Sequence, residues 1–148
     1  MDDAALQAQV RQHGPRLIHW VARVPDVAAA SAQLAALGLD RGPVRAASRM
    51  TPAGELRWQI TVRGDGQRLL DGCLPTLIEW GATHPAATMP DSGLQLHQLT
   101  LAHPQADLLL TALNAGGLAA PLAHGRLQVH AAPVAELRAT LHTPRGPV

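Results

Sequence analysis

Two stretches of alternating apolar and polar residues each lead into a segment with helical spacing that stops at glycine. Over residues 17–24, the positions of Ile18, Trp20, Ala22 and Val24 alternate with those of His19, Val21 and Arg23, which predicts a strand. Asp26 is placed to cap a following helix, and Gly38 supplies its left-handed stop. The same order of a strand followed by a helix recurs later in the chain, with a strand predicted over 94–102 and a helix over 104–115.

The remaining elements complete two similar units. Alternation is clearest over 56–62, and a further strand is predicted over 74–80, whereas 39–55 carries two turn signals. Short strands are predicted near 126–131 and 136–143. The organisation is therefore a lead-in helix or connector over 1–15, a first β-α-β-β-β unit over 16–82, a linker over 83–93 and a second such unit over 94–148, all in one compact domain.

Composition narrows the classes of function. The chain has 148 residues, a net charge of +1 and only three aromatic residues, all tryptophan. Its arginines are scattered and form no basic stripe with interleaved aromatics, so no nucleic-acid partner is predicted. Cys73 is the single cysteine, and an inert buried thiol is favoured over a nucleophile. No signal peptide or apolar run of about 18 residues is present, which predicts a cytoplasmic protein with no membrane partner.

Several segments resemble a known family. They are His19–Asp26, Ser48–Trp58, Asp71–Gly81, His84-Pro85 with Met89-Pro90, and Leu141–Gly146. In these the chain is similar to glyoxalase-like domain proteins of the vicinal oxygen chelate superfamily, which includes glyoxalase I, bleomycin-resistance proteins and extradiol dioxygenases. The resemblance implies an α+β fold in which tandem β-α-β-β-β units form a curved mixed sheet around a cleft.

The family pattern usually has one more such unit ahead of the segment that resembles residues 16–82. The chain thus resembles the carboxyl-terminal part of the pattern, whether as a naturally short version, an internal start or a trimmed sequence. A missing unit would leave sheet surface or a strand edge that a second copy could cover, so a homodimer is predicted.

The resemblance also implies a metal site. His19 and His97 match the first-strand ligands of the two units, and Glu79 matches the last-strand carboxylate of the first. Two imidazoles and a carboxylate suit one divalent Fe, Mn, Ni or Zn with open positions for a chelating substrate. The alternative for His19 and His97 is a hydrogen-bonded, half-buried histidine on a strand, which needs no metal.

Other candidates carry two interpretations each. Glu79, flanked by Ile78 and Trp80, is either a catalytic general base or a structural carboxylate. Arg49 and Arg57 are either substrate-anion anchors or solvated charges. Trp80 either lines a binding cavity or packs, and Trp20 and Trp58 are predicted on the helix-covered face of the sheet. His84 and His103, beside prolines, are predicted at the surface.

Two classes of function remain open. The first is a metal-dependent glyoxalase-like enzyme, of lyase, isomerase or oxygenase type, acting on a small oxygenated substrate. The second is a metal-free protein of the bleomycin-resistance type whose cleft sequesters a hydrophobic or anionic small-molecule ligand.

Overall fold

The computed structural model describes residues 3–14, 16–65, 68–82, 84–85 and 92–147. The predicted linker over 83–93 therefore lies largely outside the described residues. The elements, in chain order, are α1 (Asp3–His13), β1 (Val21–Arg23), α2 (Val27–Ala36), β2 (Val44–Thr51), β3 (Gly54–Thr61), β4 (Thr76–Trp80), β5 (Gln95–His103), α3 (Ala106–Ala115), α4 (Ala119–Ala123), β6 (Leu127–Ala131), β7 (Glu136–Thr143) and β8 (Gly146–Pro147). No helix in these parts of the chain is long and apolar enough to cross a membrane.

The first sheet has the strand order β1-β4-β3-β2, with β1 parallel to β4 and the other pairs antiparallel. It confirms an α+β architecture built from a β-α-β-β-β unit. The predicted strand over 17–24 is reduced to Val21–Arg23, and the stretch that carried only turn signals contains β2. The helix between β1 and β2 begins after Asp26, whose side chain accepts a hydrogen bond from the Ala29 amide at 3.0 Å, as the sequence predicted.

The second sheet has the order β6-β5-β7-β8, so its pairing differs from that of the first. Its initial strand, β5, lies between β6, which is parallel to it, and β7, which is antiparallel. A register shift between Leu96 and Gln98 places His97 at a bulge in β5. Helix α4 was not predicted, because Pro121 interrupts the apolar pattern there.

One hydrophobic core joins the two units. Helices α2 and α3 and both sheets contribute to it. Its most deeply buried members include Val27, Leu34, Leu77, Leu101, Leu109 and Leu113. His103 is also buried, contrary to its predicted surface position. Its Nε2 donates to Asp71 Oδ2 at 2.8 Å, because its Nδ1 already accepts from the Gln105 amide, and this bond ties the units together.

The two faces of the first sheet differ in what covers them. The face against α2, which we call the helix-covered face, carries Ala22 and Leu77, both part of the shared core. The other, which we call the open face, carries Ile78 paired with Ile60, and Trp80 paired with Trp58. Trp20 packs against the core as predicted. The prediction that Trp58 lies on the helix-covered face was wrong, because both faces of β3 and β4 bear apolar residues.

Candidate functional site

A cleft of about 570 Å³ lies on the helix-covered face beside the start of α2. We call it the first-sheet cleft. Strand register accounts for its polar lining: Gln59 pairs with Glu79, and Arg57 pairs with Ser48, so these side chains point to one side of the sheet. Its volume falls in the range of small-molecule pockets. The residues that give it chemical character are Ser48, Glu55, Arg57, Gln59 and Glu79.

Glu79 connects the cleft to the helix. Its Oε1 accepts a hydrogen bond at 2.9 Å from the amide of Val27, the first residue of α2. A carboxylate there satisfies one of the unpaired amides of the first helical turn and complements the helix dipole. Among the described residues, Oε2 has no hydrogen-bond partner, so this oxygen is the one that remains for a ligand in the cleft.

Arg57 is the only basic side chain that lines the described cleft. Its Nε and Nη2 both contact Glu55 Oε2, at 3.0 and 2.9 Å, and the guanidinium is largely exposed. This arginine lowers the pKa of Glu55, through its hydrogen bond first and its charge second. An exposed pair of this kind contributes little to stability. Arg57 can therefore give up its hydrogen bonds to Glu55 and bind the anionic group of a ligand at small energetic cost.

The other two predicted binding residues lie on the opposite side of the sheet. Arg49 pairs with Leu56 and is exposed, and Trp80 pairs with Trp58 on the open face. The indole of Trp80 lies 5.4 Å from that of Trp58 and 5.2 Å from the ring of His84, measured between centroids. Arg57 and Glu79 are thus brought together, while Arg49 and Trp80 face away from them.

His19 is held in a chain of hydrogen bonds just before β1. Its Nδ1 donates to the Gly72 carbonyl at 3.2 Å, and its Nε2 accepts from the Thr76 hydroxyl at 2.9 Å. That hydroxyl in turn accepts from Arg41 Nη2 at 2.9 Å. Arg41 is 4% exposed, and its Nε and Nη1 have no partner among the described residues. Both nitrogens of His19 are engaged, which fits the alternative of a hydrogen-bonded histidine.

This environment makes stability depend on the protonation of His19. Burial lowers its pKa below 6.5, the charges of Arg41 and Arg68 add to that effect, and the Gly72 hydrogen bond opposes it. Below about pH 6.5 the unfolded chain binds a proton that the folded chain does not. The free energy of unfolding therefore decreases as the pH is lowered. We expect His19→Gln to reduce the loss of unfolding free energy between about pH 7.5 and about pH 5.5, measured by urea denaturation.

The exposed His130 provides the control for this experiment. His130→Gln should leave the pH dependence as in the wild-type chain. An identical slope in His19→Gln and wild type would show that the fold does not suppress the protonation of His19.

His97 lies in the second sheet, at a different cavity. Its ring packs edge to face against that of His142, with centroids 4.3 Å apart. The two rings line a cavity of about 580 Å³ together with His124 and Arg126. We call this the histidine cavity.

The predicted metal ligands do not form one cluster. Among the described residues, which include His19, Glu79 and His97, no three His, Cys, Asp or Glu side chains lie close enough together to hold a metal ion. Both ring nitrogens of His19 are already hydrogen-bonded, to Gly72 and Thr76. One carboxylate oxygen of Glu79 caps α2. The three residues therefore do not fit a single metal centre in this structure.

A family model for the glyoxalase-like domain matches residues 2–116. The chain belongs to the glyoxalase-like domain family. The match spans the first sheet, β5 and α3, and ends before α4 and the last strands. No curated protein and no solved structure matches the sequence. Membership places this glyoxalase-like chain in the vicinal oxygen chelate superfamily, whose members often bind a divalent metal and small molecules.

Sequence reasoning missed several residues of the two pockets. Ser48, Gln59 and Glu55 were passed over because single polar residues on a strand carry no motif, although the alternation of Glu55 and Gln59 with apolar positions on β3 was visible. His124 and Arg126 follow an unpredicted helix. Cys73 is fully buried, and burial, reinforced by the charge of Asp71, raises the pKa of its thiol to about 11, which favours the inert interpretation.

Proposed function

We propose that this glyoxalase-like domain binds a small, oxygenated anionic molecule in the first-sheet cleft, in the manner of a metal-free sequestering protein. The observation that carries the proposal is the placement of Arg57 and Glu79 on one face of the sheet, around one cleft. Arg57 would bind a carboxylate of the ligand through two parallel hydrogen bonds. Glu79 Oε2 and Gln59 would accept hydrogen bonds from its hydroxyl groups.

A metal-dependent enzyme is the less favoured function. Its three predicted ligands are not assembled, and Glu79, the candidate base, already uses one oxygen to cap α2. In the binding proposal the same carboxylate orients the ligand and takes no proton from it. Trp80 and Arg49, on the open face, are not part of the proposed site.

The proposal is tested by isothermal titration with a panel of small hydroxy- and oxo-carboxylates in the presence of EDTA. A charge-assisted hydrogen bond contributes about 1.5–3 kcal/mol, so Arg57→Gln should weaken a ligand of the cleft about tenfold or more. Glu79→Gln retains an oxygen for the Val27 amide, and should weaken hydroxylated ligands while the chain stays folded.

Arg45→Gln is the matched control, because Arg45 is an exposed arginine on the neighbouring strand and faces the open side of the sheet. It should bind the panel as the wild type does. Equal loss in Arg45→Gln and Arg57→Gln would indicate nonspecific charge attraction. Binding that EDTA abolishes and a divalent metal restores would return the metal-dependent class to first place.

We also propose that the protein is cytoplasmic and forms a homodimer. Apolar side chains exposed near the first sheet support association, among them Val21 and Val62, which are 53% and 39% exposed. Sedimentation equilibrium at micromolar concentration measures the mass directly. A monomer mass would remove the homodimer from the proposal.

A further inference from the structure

The histidine cavity is lined by an unusual set of charges. The ionisable groups that line it, among the residues the structure describes, are His97, His124, His142 and Arg126, with no carboxylate. The first-sheet cleft, in contrast, contains Glu55 and Glu79. A cavity lined by a guanidinium and by imidazole donors favours anions.

The elements around the cavity carry no nearby acid. Neither β5, β6 nor α4 contains Asp or Glu. The acid on β7, Glu136, pairs with Ala102 at the far end of the β5–β7 ladder and forms an ion pair with Arg138. The cavity lies at the other end of that ladder, where Gln95 pairs with His142. Within the described parts of the chain, no acidic side chain pairs with Arg126 at the cavity.

Local structure positions the cationic groups. Arg126 Nη2 donates to the Leu96 carbonyl at 3.1 Å, which holds the guanidinium at the start of β5. Gln98 Nε2 donates to the Gly125 carbonyl at 3.0 Å and fixes the loop that bears His124. The bulge at residue 97 brings His97 against His142. These contacts come from two strands, β5 and β7, and from the loop before β6, so the lining is defined by tertiary structure.

The size and spacing of the lining indicate the class of anion. The imidazoles do not form a metal-binding group with one another. A phosphate group offers more oxygens and more negative charge to a guanidinium and three imidazoles than a single carboxylate does. A volume of about 580 Å³ leaves space for an organic substituent beside that group.

We propose that the histidine cavity binds the phosphate group of a small phosphorylated molecule. Arg126 supplies the charge, and the three imidazoles supply hydrogen-bond donors. The two pockets share no lining residue, so this site is separate from the first-sheet cleft and does not depend on the function proposed for it.

The test uses inorganic phosphate and glycerol phosphate as probes in isothermal titrations at constant pH. Both probes should bind, and tighter binding of the ester would identify an organic phosphate as the source. Arg126→Gln should weaken either probe about tenfold or more, because a charged hydrogen-bond donor is lost. His124→Gln should also reduce the affinity, because an imidazole donor is lost.

His130→Gln and Arg57→Gln are the controls. His130 is exposed on β6 but does not line the cavity, and Arg57 belongs to the other pocket, so neither substitution should change phosphate affinity. Both Arg126 and His124 are exposed, so their variants should remain folded. No binding of either probe at millimolar concentration, or an equal loss in Arg126→Gln and Arg57→Gln, would overturn the proposal.

Discussion

Gly72→Ala is expected to lower the free energy of unfolding by more than about 4 kcal/mol. Gly72 has a φ of +89°, a conformation that side chains disfavour, and a Cβ at this position would collide with the carbonyl oxygen of Ile18. The carbonyl of Gly72 also holds His19. Neighbouring Leu70 and Asp71 already have φ values of +50° and +55°, so the segment has little freedom to move aside. Chemical denaturation followed by circular dichroism measures the effect.

Gly38→Ala separates the collision from the backbone cost. Gly38 has a φ of +78°, but an added Cβ would meet nothing within 4 Å. Only the left-handed conformation is penalised there, at about 1–2 kcal/mol. If the two alanine variants lose similar stability, the close approach between residues 72 and 18 is not a constraint on the fold.

Leu101→Ala and Leu77→Ala are each expected to cost about 2–5 kcal/mol, and to lower the stability of the whole chain in one transition. These leucines are 0% and 1% exposed, one in each sheet, and belong to the same core. Because both sheets pack into that core, a cavity in either one weakens both units. Tryptophan fluorescence, which reports only the first unit, and circular dichroism should give coincident curves.

Leu110→Ala is the control, since this residue of α3 is 41% exposed and should cost much less than Leu101→Ala. Fluorescence that stays unchanged while circular dichroism shows a first transition in Leu101→Ala would mean that the second unit unfolds alone. In that case each unit would have its own core, and the two cores would only touch.

Most elements of the fold could be predicted because each is local. Alternation and a helix stop at glycine identified α2, β5, α3, β6 and β7 close to their observed bounds. The face of the first sheet that α2 covers could not be predicted in this way. Ile60 and Trp58 are apolar, yet they lie on the open face, and the face against the helix carries Thr61. This threonine is 2% exposed, and its hydroxyl accepts a hydrogen bond from the Leu77 amide. A hydrogen bond between two strands cannot be recognised from the hydrophobic pattern of the sequence.

The candidate site was predictable in parts. Glu79 was singled out because it interrupts an apolar strand, but its contact with Val27 joins residues 52 positions apart and depends on the sheet being formed. Arg57 and Glu79 were chosen separately, and only strand register puts them on one face. Their place in the metal triad came from the family resemblance, and the triad itself remains unassembled.

Strand β2 has one long edge that no other described strand pairs with. Such an edge is a template for the intermolecular strand pairing that begins aggregation. Arg45 and Arg49 project from it on the open face, and Met50, which points to the other face, is 74% exposed. Positive charges on an edge strand repel a second copy that approaches in register. Charged residues on edge strands commonly act as gatekeepers, so we expect Arg45 and Arg49 to oppose the pairing of β2 with a second copy.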